Sequence, residues 1–339
     1  MTILTDRTRA ARLARLCLIV FVSCQIAVHY YGLLSREPAG AGATTSIFAA
    51  NVGLLQGSSP TDPQQTRLIT PVVLRAVSAA LPLPSGYAAE KSSLVLVKFL
   101  SALFATAMFV KCADVALTTE AARLVAVLAF GLAALSSELD VGRLDALFGP
   151  GVFLAGIFLL LAGAQSKAAA RRPVHVAAVL GCGALAASAR FDLAMLVAGL
   201  GVLFGLIERR WDLVHAFVAQ GVVAFGVFVG IALAFDVRGV VLGSIWSAPG
   251  VPRIAGAAQP GAWLTLALFF SVAAPVAVLA LRDLPRVLRV VFWGTLGYGV
   301  FLMFVGNVSE YRLWLPLAAI CVLASARFLE VRCFSQQPA

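Results

Sequence analysis

The chain has 339 residues, of which 61% are hydrophobic and 12% are charged, and its mean hydropathy is +0.95. This composition excludes a soluble globular protein, because a domain of this length cannot bury so large an apolar fraction. The formal net charge of +10 would also suit a nucleic-acid-binding protein. The basic residues, however, lie in short segments between apolar blocks, as in multi-pass membrane proteins, so we expect no nucleic-acid partner.

Ten apolar stretches approach the length of about 20 residues that a helix needs to cross the hydrocarbon core of a bilayer. They cover residues 13–31, 93–109, 121–135, 151–164, 174–189, 192–207, 213–235, 263–281, 287–305 and 313–329. Several are short, so a count between eight and eleven stays open. Helices are expected because lipid forces each segment to satisfy its own backbone. The predicted fold is an all-α, polytopic transmembrane helical bundle that forms a single domain over residues 1–339.

The charges sort by side of the membrane. The first apolar stretch follows a basic segment, and because no small-x-small site comes after it, we interpret it as an uncleaved first span rather than a signal peptide. With ten spans and a cytoplasmic N-terminus, the 26 basic residues divide into 16 cytoplasmic and 10 outer ones, and the 16 acids into 7 and 9. This is the positive-inside bias, and it predicts that both termini are cytoplasmic.

Two long loops are predicted on the outer side. The first covers residues 32–92 and contains turn residues followed by a helical pattern at about 66–82. That pattern is too short and too charged to span, and Val72, Val73 and Val77 share one face, so we expect an amphipathic helix on the membrane surface. The second long outer loop covers residues 236–262.

Acidic residues and arginines are paired at the outer ends of the predicted spans. A charge at bilayer depth is costly by about 2.5–3.5 kcal/mol, so such residues usually have a partner or a function. The positions are Asp140, Arg143 and Asp145, Arg190 and Asp192, Asp236 and Arg238, and Glu310 and Arg312. Arginine suits a phosphate, and a nearby carboxylate suits a general base or a divalent cation. The alternative for each pair is a solvated salt bridge at a helix end.

Other features carry less information. Lys98, six residues into the second predicted span, is expected to extend to the outer headgroups. The six cysteines show no disulfide or zinc pattern. A P-loop, GxGxxG, HExxH or GxSxG motif is absent from the sequence, which disfavours ATP-driven transport and nucleotide-sugar chemistry within this chain.

With these residues laid out, the chain resembles the bacterial polytopic glycosyltransferases of the C-type fold (GT-C). The resemblance covers most of the chain and rests on order and short patterns. A basic start and first span precede a long outer loop that ends in Thr66-Arg67-Leu-Ile-Thr-Pro71, and an acidic loop from Asp140 to Asp145 precedes the fourth span. The turn Ala-Arg190-Phe-Asp192 follows, and Glu310-Tyr-Arg312-Leu-Trp-Leu-Pro316 opens the last span.

The resemblance implies transfer of a sugar from a polyprenyl-phosphate donor on the periplasmic face of the bacterial inner membrane. The resemblance gives the role of base or metal ligand to an acid of the first outer loop, Glu37 or Asp62, and the acid–arginine pairing adds Asp140 and Asp145 as candidates. Residues expected to bind substrate are Arg67, Arg143, Arg190, Asp192, Glu310 and Arg312. A divalent metal ion stays open, and the expected partners are membrane lipids, the lipid-linked sugar and envelope-assembly proteins.

Two alternatives come from other functional classes. One is a transporter or flippase of a lipid-linked or anionic substrate, which predicts charges at mid-membrane depth and matched broken helices in two halves. The other is a non-catalytic subunit of an envelope polysaccharide assembly complex, which predicts an exposed small-residue helix face. Convergence of Asp140, Arg190 and Arg312 in one cavity would favour the enzyme.

Overall fold

The computed structural model describes residues 2–35, 49, 69–81, 87–136, 147–234, 270, 273–305 and 311–334. Within residues 2–9, 303–305, 311–313 and 334 it describes the backbone alone. The elements in chain order are α1 (Thr2–Ser35), α2 (Ile69–Ala80), α3 (Tyr87–Ala116), α4 (Glu120–Ser136), α5 (Phe148–Gln165), α6 (Lys167–Ala170), α7 (Pro173–Ile207), α8 (Trp211–Ala234), α9 (Ala273–Ala280), α10 (Arg286–Val305), α11 (Tyr311–Leu329) and a π-helix (Glu330–Phe334). The all-α prediction is thus confirmed for the described residues.

Six helices are long and apolar enough to cross a bilayer. They are Ala10–Ser35, Tyr87–Ala116, Phe148–Gln165, Pro173–Ile207, Trp211–Ala234 and Trp314–Cys333. The chain is therefore a multi-pass membrane protein. The stretches predicted at 121–135, 263–281 and 287–305 correspond to α4, α9 and α10, which do not enter this count of the described residues. A number of spans above six stays a prediction.

Helix α7 is bent back on itself at Arg190, whose backbone is extended (φ −155°, ψ 95°). A Cβ on Gly183 would lie 2.5 Å from the Cγ of Gln220, and one on Gly201 would lie 2.1 Å from the Cγ of Phe217. Gly183 and Gly201 are 18 positions apart, which would separate them by about 27 Å in a straight helix. They nevertheless contact Gln220 and Phe217, which are only one turn apart on α8. Residues 173–189 and 191–207 are therefore antiparallel, in agreement with the turn that the sequence predicts there.

Small residues let the helices approach closely. Val22 of α1 packs on Gly131 of α4, where an added Cβ would lie 2.8 Å from a Val22 methyl group. In the same core Phe109 and Phe130 stack with ring centroids 4.3 Å apart. Lipid provides no hydrophobic drive between helices, so such close van der Waals packing contributes much of their association.

Helix α2 is present where the sequence predicts a helix, but its apolar side faces protein. Leu74 is fully buried, in a cluster that includes Tyr30 of α1 and Leu94 of α3. Val73 and Val77 pack against this cluster, whereas Val72 is exposed. Two of the three valines of the predicted stripe thus face protein rather than lipid, because α1 and α3 offer a protein surface to pack against.

The two ends of the bundle differ in chemistry. We call the end that carries Arg190 and the start of α5 the hinge end, and the opposite end the basic end. At the basic end Arg15 pairs with Asp114 and approaches Glu120 to 3.3 Å. Arg123 pairs with the same Glu120 at 2.6 Å. These contacts join α1, α3 and α4.

Two buried charged groups, Glu330 and Arg210, also make hydrogen bonds at the basic end. Glu330 of the π-helix accepts hydrogen bonds from the backbone N–H of Thr118 at 2.6 Å and from its hydroxyl at 2.9 Å. Arg210 binds Asp212 at 2.8 Å and donates to the carbonyl of Gly163 at 3.0 Å. These particular charged groups are thus paired within the protein.

Candidate functional site

The reversal in α7 is the described part of the predicted site. Arg190 occupies the extended position between the two halves of the helix, and Asp192 opens the second half. The guanidinium Nε lies 3.1 Å from Oδ1 of Asp192, and Nη2 binds Oδ2, so the pair is bidentate. The Arg190 side chain is 6% exposed and the Asp192 side chain is 37% exposed. The cation therefore faces the protein and the carboxylate lies toward the surface.

Tyr298 of α10 completes this cluster, and no motif in the sequence predicts it. Its hydroxyl accepts a hydrogen bond of 2.9 Å from Nη2 of Arg190 and donates one to Oδ2 of Asp192. Buried charges are stable only when paired and hydrogen-bonded, and here one hydroxyl serves both members of the pair. The single local signal in the sequence is that this tyrosine stands between Gly297 and Gly299 in an apolar helix.

The first turn of α5 packs directly on Arg190. A Cβ on Gly149 would lie 2.9 Å from Cγ of Arg190, so a glycine is needed for this approach. Leu147, which precedes the helix, makes no side-chain capping hydrogen bond. The N-terminus of a helix carries partial positive charge and N–H groups without partners inside the helix. Arg190 and the start of α5 thus place positive potential at the same point.

Lys98 of α3 is another buried cation. It is 0% exposed, and its Nζ lies 5.1 Å from the ring centroid of Tyr30. The prediction that Lys98 extends to the headgroups is therefore wrong, because the whole side chain is buried in the protein, with its Nζ beside Tyr30 of α1. A buried lysine beside an aromatic face is stabilised by a cation–π interaction.

A small cavity of about 50 Å³ lies between α2, α3 and the start of α5. Its lining includes Val97, Ser101 and Phe148, and it also includes Thr70 of α2. The Thr70 hydroxyl is buried and has no hydrogen-bond partner among the described residues. Ser101 donates to the carbonyl of Val97 at 2.8 Å. Residues of α2, α3 and the start of α5 thus meet at this cavity.

The structure brings together two of the ten predicted site residues, Arg190 and Asp192. Outside the described residues lie Glu37, Asp62, Arg67, Asp140, Arg143, Asp145 and Glu310. Arg312 belongs to α11, but its side chain is not among those described. The pair Asp236 and Arg238 is also outside them. Their roles stay predictions.

The described residues include no group of three His, Cys, Asp or Glu side chains that could hold a metal ion. Comparisons with family models, with curated proteins and with solved structures find no match to this chain. What the fold establishes is the class: a polytopic helical membrane protein that contacts membrane lipids.

Proposed function

We propose that this protein binds the phosphate of a lipid-linked sugar donor at the hinge end and transfers the sugar from it. The observation that supports this proposal best is the placement of Arg190. The turn inside α7 holds the guanidinium in a bidentate pair with Asp192, beside the N-terminus of α5.

The chemistry of this end favours an anion. Arginine binds phosphate oxygens in pairs through its planar guanidinium group, and helix N-termini bind phosphates through their N–H groups and dipole. Asp192 is the more exposed member of the Arg190 pair, so it keeps the cation oriented before substrate arrives.

The depth of the site favours a substrate that reaches it from the bilayer. Arg190 lies level with the first turn of α5, whose 18 residues correspond to about 27 Å and so to the thickness of a hydrocarbon core. A phosphate at the end of a lipid lies at this interface. The donor thus diffuses in the membrane plane, with its sugar toward the aqueous side.

The remaining roles follow the sequence. One acid among Glu37, Asp62, Asp140 and Asp145 deprotonates the acceptor or holds a metal ion. The residues Arg67, Arg143, Glu310 and Arg312 join Arg190 in holding the donor. The excess of basic residues at the other end supports a cytoplasmic basic end and a periplasmic hinge end in a bacterial inner membrane.

The test measures sugar transfer from a polyprenyl-phosphate sugar to acceptor in membranes that contain equal amounts of each variant. Arg190→Ala and Arg312→Ala are expected to abolish transfer. Arg190→Lys keeps the charge but loses the bidentate pairing, so it is expected to retain a small part of the activity.

The matched control is Arg286→Ala, because Arg286 lies at the basic end and its side chain is 74% exposed. Transfer should be unchanged in this variant. Unchanged transfer in Arg190→Ala at equal expression would remove Arg190 from the mechanism. Absence of transfer by the unaltered protein, with every donor sugar tried, would contradict the proposed function.

A further inference from the structure

A lateral groove runs along the bundle between α4, α9 and α11. It encloses about 410 Å³, and its lining includes Ala129 and Ala133 of α4, Ala273 of α9 and Ala318 of α11, with Phe270 at one side. The groove owes its space to these alanines, because larger side chains at the same positions would fill it. Its lining includes neither Arg190 nor any other residue that the proposed function uses.

The groove offers almost nothing to water. Its two hydroxyl groups are engaged inside the protein, since Ser325 donates to the carbonyl of Ala273 and Ser136 donates to that of Leu132, both at 2.8 Å. The rest of the lining is apolar. Water enters a cavity only where it finds several polar partners, and an empty cavity forfeits the dispersion contacts of its walls. An apolar occupant is therefore favoured.

The groove is continuous with the surface that faces lipid. Val125 and Leu132 line it and are also exposed, and Leu128 lies exposed between them on the same helix. In a multi-pass membrane protein, apolar side chains exposed on the outer face of a helix bundle contact the hydrocarbon chains of lipids. The medium that meets the groove is thus bilayer lipid.

The length of the groove indicates which hydrocarbon enters it. From Val125 to Ser136 it follows eleven residue steps of α4, or about 16 Å. One leaflet of a 30 Å hydrocarbon core is about 15 Å deep. We propose that the groove holds one acyl chain of a bilayer phospholipid, lying along α4 and α11. A long polyprenyl chain would exceed the groove, so this occupant is independent of the proposed glycosyl transfer.

Two tryptophans allow a direct test. Trp314 is 3% exposed, so bulk lipid does not touch it, and its ring meets that of Phe270 edge-on at 6.3 Å. Trp293 is 56% exposed. Single-tryptophan proteins that keep one or the other are reconstituted in phosphatidylcholine vesicles whose acyl chains are brominated, and in unbrominated vesicles. An acyl chain in the groove brings bromine close to Trp314 and quenches its fluorescence.

Groove-filling substitutions provide the comparison. Ala133→Phe, and the milder Ala129→Leu if the first variant aggregates, are expected to abolish quenching of Trp314 and leave quenching of Trp293 unchanged. Ala178→Phe is the matched control, since Ala178 is exposed on α7 outside the groove, and it should change neither. Size-exclusion profiles and thermal unfolding show that each variant is folded.

Native mass spectrometry of the same proteins reports the occupant. One phospholipid is expected to accompany the unaltered protein and to be lost in Ala133→Phe. The proposal is overturned if Trp314 is not quenched, or if it is quenched equally in the filled variants. A dimer that Ala133→Phe dissociates, with no phospholipid bound, would assign the groove to a second copy instead.

Discussion

The guanidinium of Arg190 donates a hydrogen bond of 2.9 Å to the hydroxyl of Tyr298, 108 positions later in the chain. The same hydroxyl donates a hydrogen bond to Oδ2 of Asp192, so one side chain of α10 binds both members of the pair at the α7 reversal. This three-residue cluster connects helices that are distant in sequence. It therefore contributes both to the geometry of the hinge end and to its stability.

Tyr298→Phe removes this hydroxyl and keeps the ring. We expect the free energy of unfolding to fall by about 1–2 kcal/mol, in the lower part of the range for hydrogen bonds to charged groups because Asp192 is partly exposed. The measurement is denaturant unfolding in mild detergent. Tyr31→Phe is the control, since Tyr31 is exposed and its ring contact with Lys91 remains. Equal losses in the two variants would contradict the role of the Tyr298 hydroxyl.

Gly149→Ala tests the packing of α5 on Arg190. An added Cβ would lie 2.9 Å from Cγ and 3.1 Å from Cδ of Arg190, whose guanidinium is held by Asp192 and Tyr298 and so moves only at a cost. We expect a loss of about 1–3 kcal/mol, as for other overpacked sites, read from thermal and denaturant unfolding.

The control for this substitution is Gly226→Ala in α8, where an added Cβ would meet no atom within 4 Å. Alanine favours helix over glycine by about 1 kcal/mol, so Gly226→Ala should be neutral or stabilising. A stabilised Gly149→Ala would mean that Arg190 has room to shift.

The sequence predicts the reversal at Arg190 but not what surrounds it. Two apolar runs of similar length flank the polar residues Arg190 and Asp192, and a turn is the arrangement that keeps both charges out of the hydrocarbon. The partner Tyr298 could not be predicted, because its contact depends on how α10 packs against α7. Local pattern carries no information on such long-range pairing.

The same limit explains the errors. The pattern of Ile69–Ala80 predicts an amphipathic helix, and the helix exists, but the pattern does not say whether protein or lipid covers its apolar side. For Lys98, the apolar stretch around it predicts how deep it lies in the membrane but not which side chains surround it. A lysine at that depth is expected to extend to the headgroups unless protein covers it. Burial of the Lys98 side chain is a property of the assembled bundle.

Glu330→Gln tests the closure of the basic end. The carboxylate accepts hydrogen bonds from Thr118 and Thr119 at the start of α4 and pairs with Arg327, so it caps one helix from the end of another. The amide keeps one acceptor but loses the charge. We expect a loss of about 1.5–3 kcal/mol in the free energy of unfolding.

Glu208→Gln is the matched control, because Glu208 pairs with the exposed Arg286 at 3.1 Å. Such surface pairs contribute less than about 1 kcal/mol. If Glu208→Gln lowers the free energy of unfolding as much as Glu330→Gln does, the hydrogen bonds of Glu330 to Thr118 and Thr119 stabilise the protein no more than a surface ion pair.

The enclosure of Lys98 predicts its reactivity toward a water-soluble acylating reagent. In the folded protein, Lys167 is exposed beyond the end of α5 and should be modified readily, whereas Lys98 should stay unmodified. After unfolding in strong detergent both should react alike, because the sequence around Lys98 contains nothing that protects it. Peptide mass spectrometry after timed labelling measures both rates in one sample. Modification of Lys98 at the rate of Lys167 in the folded protein would show that this lysine reaches water, and its cation would then no longer belong to the buried wall between α1 and α3.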